Sequence, residues 1–293
     1  MKGETIAPAP RVAPRGLSPV GALVRRHDRD RYQTALFAPA DRREALFALY
    51  AFNYEIARVR ESVTQPMLGQ IRLQWWREVI AAAYDGEPAR QHEVAALLAG
   101  AIRKLGLSRE PFERMIDTRE RDLADEPPAT LAALEAYAEG TAATLLVLAL
   151  EALGAAEPAP REAARDIGIA YALAGVLRAM PFHARAARCH IPADIAAETG
   201  VDPHDYAALR FSPALRRAVA AIADAAAARL DAARRRRSDI PRKALPALLP
   251  AVIAGRALVR LRRAGGNPFE PRLAMPDPLL SWRLVAAMVL GRF

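Results

Sequence analysis

The chain has 293 residues, a formal net charge of +9 and a single cysteine, Cys189. One cysteine excludes an internal disulfide and fits a reducing compartment, and a chain of this length can bury a large core. Hydrophobic residues make up 52% of the sequence, yet no run reaches the roughly 18 apolar residues of a membrane span. The amino terminus lacks the apolar segment of a secretory signal. We predict a flexible tail at 1–16 and one domain at 17–293.

Apolar residues recur at helical spacing along the chain, and β-branched runs are few, which predicts an all-α protein. Pro39 and Asp41 mark one helix start, while Thr130 and Ser212 are placed as N-caps of two others. The predicted helices span 17–28, 41–62, 67–84, 90–105, 110–123, 130–153, 160–179, 192–199, 212–236, 242–263 and 276–290. No break between them is long enough for an interdomain linker, so a single domain is expected.

Two segments contain the candidate functional residues. The first is ALFALYAFNYEIARVRE at 45–61, and the second is GIAYALAGVLRAMPFHARAARCHIP at 168–192. The second segment begins as an amphipathic helix, with Ile169, Leu173 and Leu177 at helical spacing. Pro181 removes a backbone donor and disfavours an α conformation at Met180, so we predict that the helix stops or kinks there.

These segments resemble the squalene/phytoene synthase family. Tyr50, Ala51 and Phe52 match the lead-in to the family's first Asp-x-x-x-Asp helix. The second segment matches the Gly-x-Ala-x-Gln-x-x-Asn-Ile-Leu-Arg-Asp-x-x-Glu-Asp run and its following Leu-Pro at Gly168, Ala170, Leu177, Arg178 and Pro192. The resemblance runs from about Leu23 to Trp282. It implies an isoprenoid-synthase-type helical bundle around a central cavity.

The acidic residues of the family's two metal boxes are missing. Ala57 and Glu61 stand at the aspartate positions of the first box, and Ala179 and His183 stand at acid positions of the second. Carboxylates at i and i+4 share a helix face and can hold Mg²⁺ ions that bridge phosphate oxygens. Glu55 lies about 120–160° away from that face, so it is not a replacement. We therefore expect no resident metal and no cofactor.

The strings AFNYEIARVRESV, IRLQWW, YAEGTAATLL and LRAMPFH are similar to a family branch that lacks these boxes and acts in assembly of respiratory complex I. The resemblance implies a non-catalytic assembly protein whose partner is a complex I subunit or assembly intermediate. Its cavity would hold an isoprenoid, a lipid tail or a partner segment. The alternative is a transferase that condenses two prenyl diphosphates with Mg²⁺. Ionising a diphosphate needs concentrated positive charge, normally from metal ions, which favours the first interpretation.

The candidate pocket or partner contacts have two interpretations each. Trp75 and Trp76, with Leu68, Ile71 and Val79, form a stripe that indicates core packing or a pocket wall. Gln74 fits a pocket contact or an exposed position, and Asp122 fits a solvent-facing ion-pair helix or a ligand contact. His183 is expected to hydrogen bond within the pocket, and Arg178 to pair with Glu61 or Asp122. The full set of candidate contacts is Asn53, Glu55, Gln74, Trp75, Asp122, Arg178 and Arg188.

The basic residues are concentrated near the carboxyl terminus. Residues 201–293 contain 17 basic and 7 acidic side chains, a balance of +10, whereas residues 1–200 have a balance of −1. The excess fits a solvated basic face, an arginine-rich composition, or attraction to an anionic membrane surface. No nucleic-acid-binding motif is present, so no nucleic acid partner is expected. We predict a cytoplasmic protein bound peripherally to the inner membrane, with Arg234–Arg237 and the Arg256, Arg260 and Arg263 face as the contacts.

Overall fold

The computed structural model describes residues 16–124 and 126–293, and every regular element in these residues is helical. The all-α prediction is confirmed. The predicted tail at 1–16 lies outside the described residues apart from Gly16. The helices are α1 (Pro19–His27), α2 (Arg29–Ala35), α3 (Ala40–Ala57), α4 (Pro66–Tyr84), α5 (Glu93–Leu105), α6 (Arg109–Glu120), α7 (Leu131–Ala138), α8 (Thr144–Ala152), α9 (Pro158–Arg185), α10 (Ala193–Thr199), α11 (Pro203–Ala207), α12 (Pro213–Arg235), α13 (Leu245–Leu248), α14 (Pro250–Arg263), α15 (Pro271–Ala274) and α16 (Leu280–Leu290).

The long helix α9 lies at the centre of the bundle and packs against α8, α12 and α14. It also packs against the π-helical turn Glu139–Ala143 that joins α7 to α8. A Cβ atom at Gly168 would lie 2.2 Å from the Cα atom of Ala143, so only glycine allows this contact. One main hydrophobic cluster extends from Val20 in α1 to Phe293, which fits the single domain expected from the sequence.

Helix α9 continues through Pro181 to Arg185, so the predicted stop at this proline is wrong. Proline has no N–H to donate to the carbonyl of Leu177, which weakens the helix locally. Met180 and Ala184, on either side of Pro181, are buried in the core. The Tyr206 hydroxyl also donates to the carbonyl oxygen of Met180 at 3.5 Å. Tertiary packing therefore holds a turn that the local sequence disfavours.

Several helix boundaries differ from the prediction. The helix predicted over 41–62 ends at Ala57 and is followed by a 3₁₀ turn at Arg60–Ser62, which removes Glu61 from the α3 surface. The region predicted as one helix at 242–263 is divided into α13 and α14. The short helices α2, α11 and α15 were not predicted. Helix α2 begins where the Asp28 side chain accepts a hydrogen bond from the Arg31 amide at 3.2 Å.

Among the described residues, two stretches have the length and composition of a membrane span, or three if the bent pair Arg242–Leu248 and Pro250–Arg263 is counted as one span, contrary to the sequence-based expectation. They are Leu131–Ala152, which includes α7 and α8, and Pro158–Arg185, which is α9. In their most apolar windows, 56% and 50% of the residues are buried within the bundle. Their apolar character therefore supplies much of the protein core.

Candidate functional site

The positions of the two former metal boxes do not bring acidic groups together. Ala57 is the last residue of α3, and Glu61 is exposed in the 3₁₀ turn beyond it. Ala179 and His183 lie one turn apart on α9. Among residues 16–124 and 126–293, no group of three His, Cys, Asp or Glu side chains could hold a metal ion. The residues at these positions do not fit a Mg²⁺ cluster, which needs several oxygen ligands.

A buried ion pair at α2 faces α9, the helix that carries the former second box. Arg31 of α2 donates to Asp28 at 2.7 Å, and the two side chains are only 9% and 13% exposed. The Arg31 guanidinium also lies 4.7 Å from the ring centroid of Tyr171 on α9, a cation–π arrangement. Burial lowers the pKa of Arg31, but the charge and hydrogen bond of Asp28, together with Tyr171 and Tyr50, raise the pKa above its ordinary value. We refer to Arg31, Asp28 and Tyr171 as the first triad.

The second triad has the same composition. Arg119 at the end of α6 donates to Asp122 at 3.0 Å and also to the Tyr137 hydroxyl, which in turn donates to Asp122 at 3.0 Å. The guanidinium lies 5.5 Å from the Tyr137 ring centroid. Burial raises the pKa of Tyr137, so its hydroxyl remains protonated and can donate. Asp122 is thus part of an internal network rather than a solvent-facing ion-pair helix.

The two triads belong to one electrostatic neighbourhood. Burial and the positive charge of Arg31 both act to lower the pKa of Arg119, but Tyr137 and Asp122 together raise it above its ordinary value. The Nε atoms of Arg31 and Arg119 are buried and have no hydrogen-bond partner among the described residues. Burial also raises the pKa of Tyr50, which faces Arg31, to about 12. The interior therefore contains two guanidinium groups, each neutralised by one carboxylate.

A pair of histidines completes the interior near the end of α9. The ring centroids of His183 and His190 lie 4.2 Å apart, and the His183 Nδ1 atom is buried without a hydrogen-bond partner. Burial, with the nearby positive charges of His190 and Arg188, lowers the pKa of His183 to about 4, although Asp122 opposes the shift. The structure thus brings three predicted site residues, Asp122, His183 and Arg188, into one region. His183 is a neutral imidazole at physiological pH.

A cavity of about 560 Å³ opens beside the first triad, between α1, α2, α9, α14 and the segment before α16. Its polar wall contains Asp28 and Tyr171, and its mouth contains two further ion pairs. The opposite wall is apolar and includes Ile253, Leu258 and Leu273. A cavity with one charged wall and one apolar wall suits an amphiphilic molecule.

Arg178 lies at the mouth of this cavity, and the prediction of Glu61 or Asp122 as its partner is wrong. Its guanidinium donates to Asp30 of α2 at 2.9 Å. The Tyr171 hydroxyl lies 3.5 Å from the same carboxylate. Arg178 is 46% exposed, so the pair is partly hydrated rather than buried. The second ion pair at the mouth joins Arg256 to Asp277 at 3.2 Å.

The remaining predicted contacts lie elsewhere. Asn53 is buried within α3, and Glu55 faces Arg58 at 3.8 Å on the same helix. Gln74 is exposed, and Trp75 packs edge-to-face against Trp76 and His92. The apolar stripe predicted for α4 is only partly buried. Its Trp76 and Val79 are buried, but Leu68 and Ile71 are exposed, so core packing was wrong for these two.

The carboxyl-terminal basic residues are partly neutralised by acids from earlier helices. Arg229 contacts Glu135 at 2.8 Å, Arg236 contacts Glu162 at 2.8 Å, and Lys243 contacts Glu157 at 2.7 Å. The buried Asp166 accepts from both Arg229 and Arg236. These pairs join the basic carboxyl-terminal part of the chain to acidic side chains of the preceding helices.

The predicted contact residues of the basic surface are engaged in the same way. Arg234 pairs with Asp231 at 3.2 Å, and Arg236 is held by α9. On the predicted α14 face, Arg256 faces the cavity and Arg260 donates to the carbonyl oxygen of Arg272. The proposed basic surface is therefore smaller than the residue count suggests.

Sequence reasoning missed most of the interior site. Asp28, Asp30, Arg31, Arg119 and Tyr137 were not among the predicted contacts. The alternating run Asp28-Arg29-Asp30-Arg31 carried a usable signal, because the i, i+3 spacing of Asp28 and Arg31 allows the two side chains to pair. The i, i+3 spacing of Arg119 and Asp122 was a second signal. Neither signal shows that the two ion pairs lie close enough in the fold to interact electrostatically.

An all-helical bundle with a cavity beside α9 and altered metal boxes defines an isoprenoid-synthase-type protein. The crystal structure of squalene synthase from Alicyclobacillus acidocaldarius has this fold, with a TM-score of 0.75, 24% identity, and coverage of 85% of this chain and 94% of that one. The family model for squalene/phytoene synthase matches residues 24–285. The chain belongs to the squalene/phytoene synthase family.

Two relatives represent the two functional types that this family match leaves open. The NADH dehydrogenase (ubiquinone) complex I assembly factor 6 of Bos taurus is 34% identical over 268 residues, which cover 89% of this chain and 80% of the relative. The presqualene diphosphate synthase of Rhodopseudomonas palustris is 28% identical over 217 residues, which cover 74% of this chain and 77% of that protein. The similarity to the assembly factor is thus both higher and longer.

Proposed function

We propose that this protein is a non-catalytic member of the family and acts in assembly of respiratory complex I at the membrane. The observation that carries the proposal is the residue set at the former metal boxes, Ala57, Glu61, Ala179 and His183. The similarity to the bovine assembly factor supports the same function. The partner would be a complex I subunit or assembly intermediate, and the protein would lie at the cytoplasmic side of the inner membrane.

The charge balance of the cavity supports this proposal over prenyl-diphosphate transfer. Loss of a diphosphate group requires positive charge that is free to stabilise the leaving group. Of the four arginines that line the cavity, Arg178 is bound to Asp30 and Arg256 to Asp277, whereas Arg29 and Arg260 have no acidic partner among the described residues. Three carboxylates, those of Asp28, Asp30 and Asp277, line the same cavity and oppose the binding of a diphosphate. With its apolar wall, the cavity therefore fits an isoprenoid or lipid tail, or an apolar partner segment, better than it fits a diphosphate.

A deletion strain provides the functional test. We expect membranes of a strain that lacks this chain to lose NADH:quinone oxidoreductase activity and the fully assembled complex on native gels. Re-expression of the chain should restore both, and succinate dehydrogenase activity should remain unchanged as the control. Normal complex I content in the deletion strain would refute the proposal.

The catalytic alternative has its own test. We expect the purified protein to form no condensation product from farnesyl or geranylgeranyl diphosphate, with or without Mg²⁺, because the donor set does not fit the metal cluster. A product that requires Mg²⁺ and disappears with a chelator would establish the transferase.

A further inference from the structure

The carboxyl-terminal helix α16 carries an apolar surface that nothing in the described chain covers. Its inner side packs on the bundle, with Leu284 and Ala287 against Leu249 and Ile253. The opposite side, the outer face, contains no charged residue. It consists of Leu279, Trp282, Val285, Ala286, Val289 and Leu290. Trp282 is 73% exposed and Val289 is 66% exposed.

Helix α16 is fixed in place, so the exposed face is a feature of the folded bundle. Arg242 donates to the carbonyl oxygens of Met288 and Val289 in the last turn of the helix. The Gln33 side chain of α2 lies 3.4 Å from the Ser281 hydroxyl in the first turn. A helix with apolar side chains on two opposite faces is normally buried on both. The outer face therefore needs a covering from outside the part of the chain that the structure describes.

The surroundings of the outer face are basic. A groove of about 480 Å³ separates α2 from α16, and Leu36, Phe37, Leu284 and Val285 form its apolar walls. Arg25 and Arg29 lie along the same groove, and none of the described residues that line it is acidic. Both arginines are exposed and have no acidic partner among the described residues. The surface thus combines an apolar strip, a tryptophan and uncompensated positive charge.

We infer that the outer face of α16 inserts into the surface of an anionic phospholipid bilayer, with lipid phosphates bound by Arg25 and Arg29. This inference rests on the proposed membrane-associated function and assigns its membrane contact. Helix α16 has 11 residues, about 16 Å of helix, so it lies in the interface and does not span about 30 Å of hydrocarbon. Tryptophan and arginine beside an aliphatic strip are the side chains that interfacial helices use.

The same observations disfavour a second copy of the chain as the covering. A two-fold dimer would place this surface against itself. Arg25 and Arg29 of both copies would then lie beside one interface without an acid to pair with them. Phospholipid headgroups supply the anions that such a dimer lacks.

Vesicle co-sedimentation of the full chain tests the inference. We expect binding to phosphatidylcholine vesicles that contain phosphatidylglycerol and much weaker binding to phosphatidylcholine alone. The double variant Trp282→Gln/Val289→Gln should lower the partition coefficient by at least roughly tenfold, since insertion scales with the buried apolar area. The matched control is Met67→Gln/Ile71→Gln on α4, where the side chains are 68% and 60% exposed. An equal loss in both variants would overturn the assignment to α16.

The contribution of Arg25 and Arg29 to vesicle binding is tested by a separate pair of variants. Arg25→Gln/Arg29→Gln should weaken binding by roughly fivefold per charge removed, the effect of about one basic residue near an anionic surface. The control is Arg235→Gln/Arg237→Gln at the end of α12, within the basic run. A larger loss in the α12 variant would move the electrostatic contact there and overturn the assignment to Arg25 and Arg29.

Insertion itself is measured by fluorescence quenching with brominated acyl chains. The emission of Trp282, taken as the difference between the wild type and Trp282→Phe, should be quenched in anionic vesicles. No vesicle binding, together with a dimer that Trp282→Gln/Val289→Gln dissociates, would identify a second copy as the covering and overturn the inference. Vesicle binding with normal complex I in the deletion strain would refute the proposed function alone. Loss of complex I without vesicle binding would refute only the membrane contact.

Discussion

The interior triads and the outer face of α16 are both exceptions to the usual distribution of side chains, in which charged groups are exposed and apolar groups are buried. The triads bury charged groups, Arg31 and Arg119, whereas the outer face exposes apolar groups such as Trp282 and Val289. The buried charges find their partners within the chain, in Asp28 and Asp122. The exposed apolar groups have no such partners among residues 16–124 and 126–293. The comparison shows that the charged groups of the interior are paired within the fold, whereas the apolar groups of the outer face are left in contact with solvent.

The triads also show how the interior of this bundle satisfies its buried polar groups. Guanidinium, carboxylate and phenol groups supply hydrogen bonds and charge balance to one another. We therefore expect the triads to contribute to the stability of the fold.

The strongest test of the interior is Arg31→Met. We expect a loss of about 3–5 kcal/mol in the free energy of unfolding, because Asp28 would remain buried without its partner. The matched control is Arg178→Met, whose pair with Asp30 is partly hydrated, and we expect a loss below about 1 kcal/mol there. Urea denaturation followed by circular dichroism gives both values.

A double variant sharpens this result. Arg31→Met/Asp28→Asn removes both charges and keeps an N-cap for α2, so part of the lost stability should return. Similar small losses in the free energy of unfolding for Arg31→Met and Arg178→Met would show that Arg31 and Asp28 are not a buried pair. The contrast between a buried charged interior and an exposed apolar outer face would then be wrong.

The histidine pair predicts an intermediate effect that depends on pH. The folded protein lowers the pKa of His183 from 6.5 to about 4, so the unfolded chain binds a proton at a higher pH than the folded chain. Stability from this group is complete above pH 6.5 and decreases as the pH falls towards 4. The expected loss is about 1–2 kcal/mol once solvent screening is allowed for.

The variant His183→Gln isolates this contribution. It should flatten the stability profile between pH 6.5 and 4, as measured by urea denaturation at a series of pH values. His204→Gln is the matched control because His204 is exposed. If both variants kept the wild-type slope, His183 would not be a neutral buried group of the interior.

The smallest expected effect is at the outer face. Trp282→Gln should change the stability of the isolated protein by no more than about 0.5 kcal/mol, because its side chain makes little contact with the bundle. The buried Trp76, changed to alanine, should cost about 3–5 kcal/mol in the same thermal and urea unfolding experiments. A large loss with Trp282→Gln would mean that the chain itself covers this face.

Sequence patterns were sufficient for the helical class, most helix positions and the family. The missing acids at Ala57 and Ala179 could be identified from the resemblance to the family, because the surrounding matches set the register of its motifs on this sequence. The resemblance also drew attention to Asp122, His183 and Arg188, which the fold brings together. It could not assign the partner of Arg178, because ion pairing depends on which helices become neighbours.

Local chemistry determined the helices, their caps and the altered metal boxes, since these depend on residues close together in the chain. Tertiary structure decided the continuation of α9 through Pro181, because the burial of Met180 and Ala184 outweighs one lost hydrogen bond. It also decided which charges are buried and which apolar residues are exposed. Arg31 is buried although arginine is usually exposed, and Trp282 is exposed although tryptophan is usually buried. The burial of both is set by packing partners that are distant in sequence.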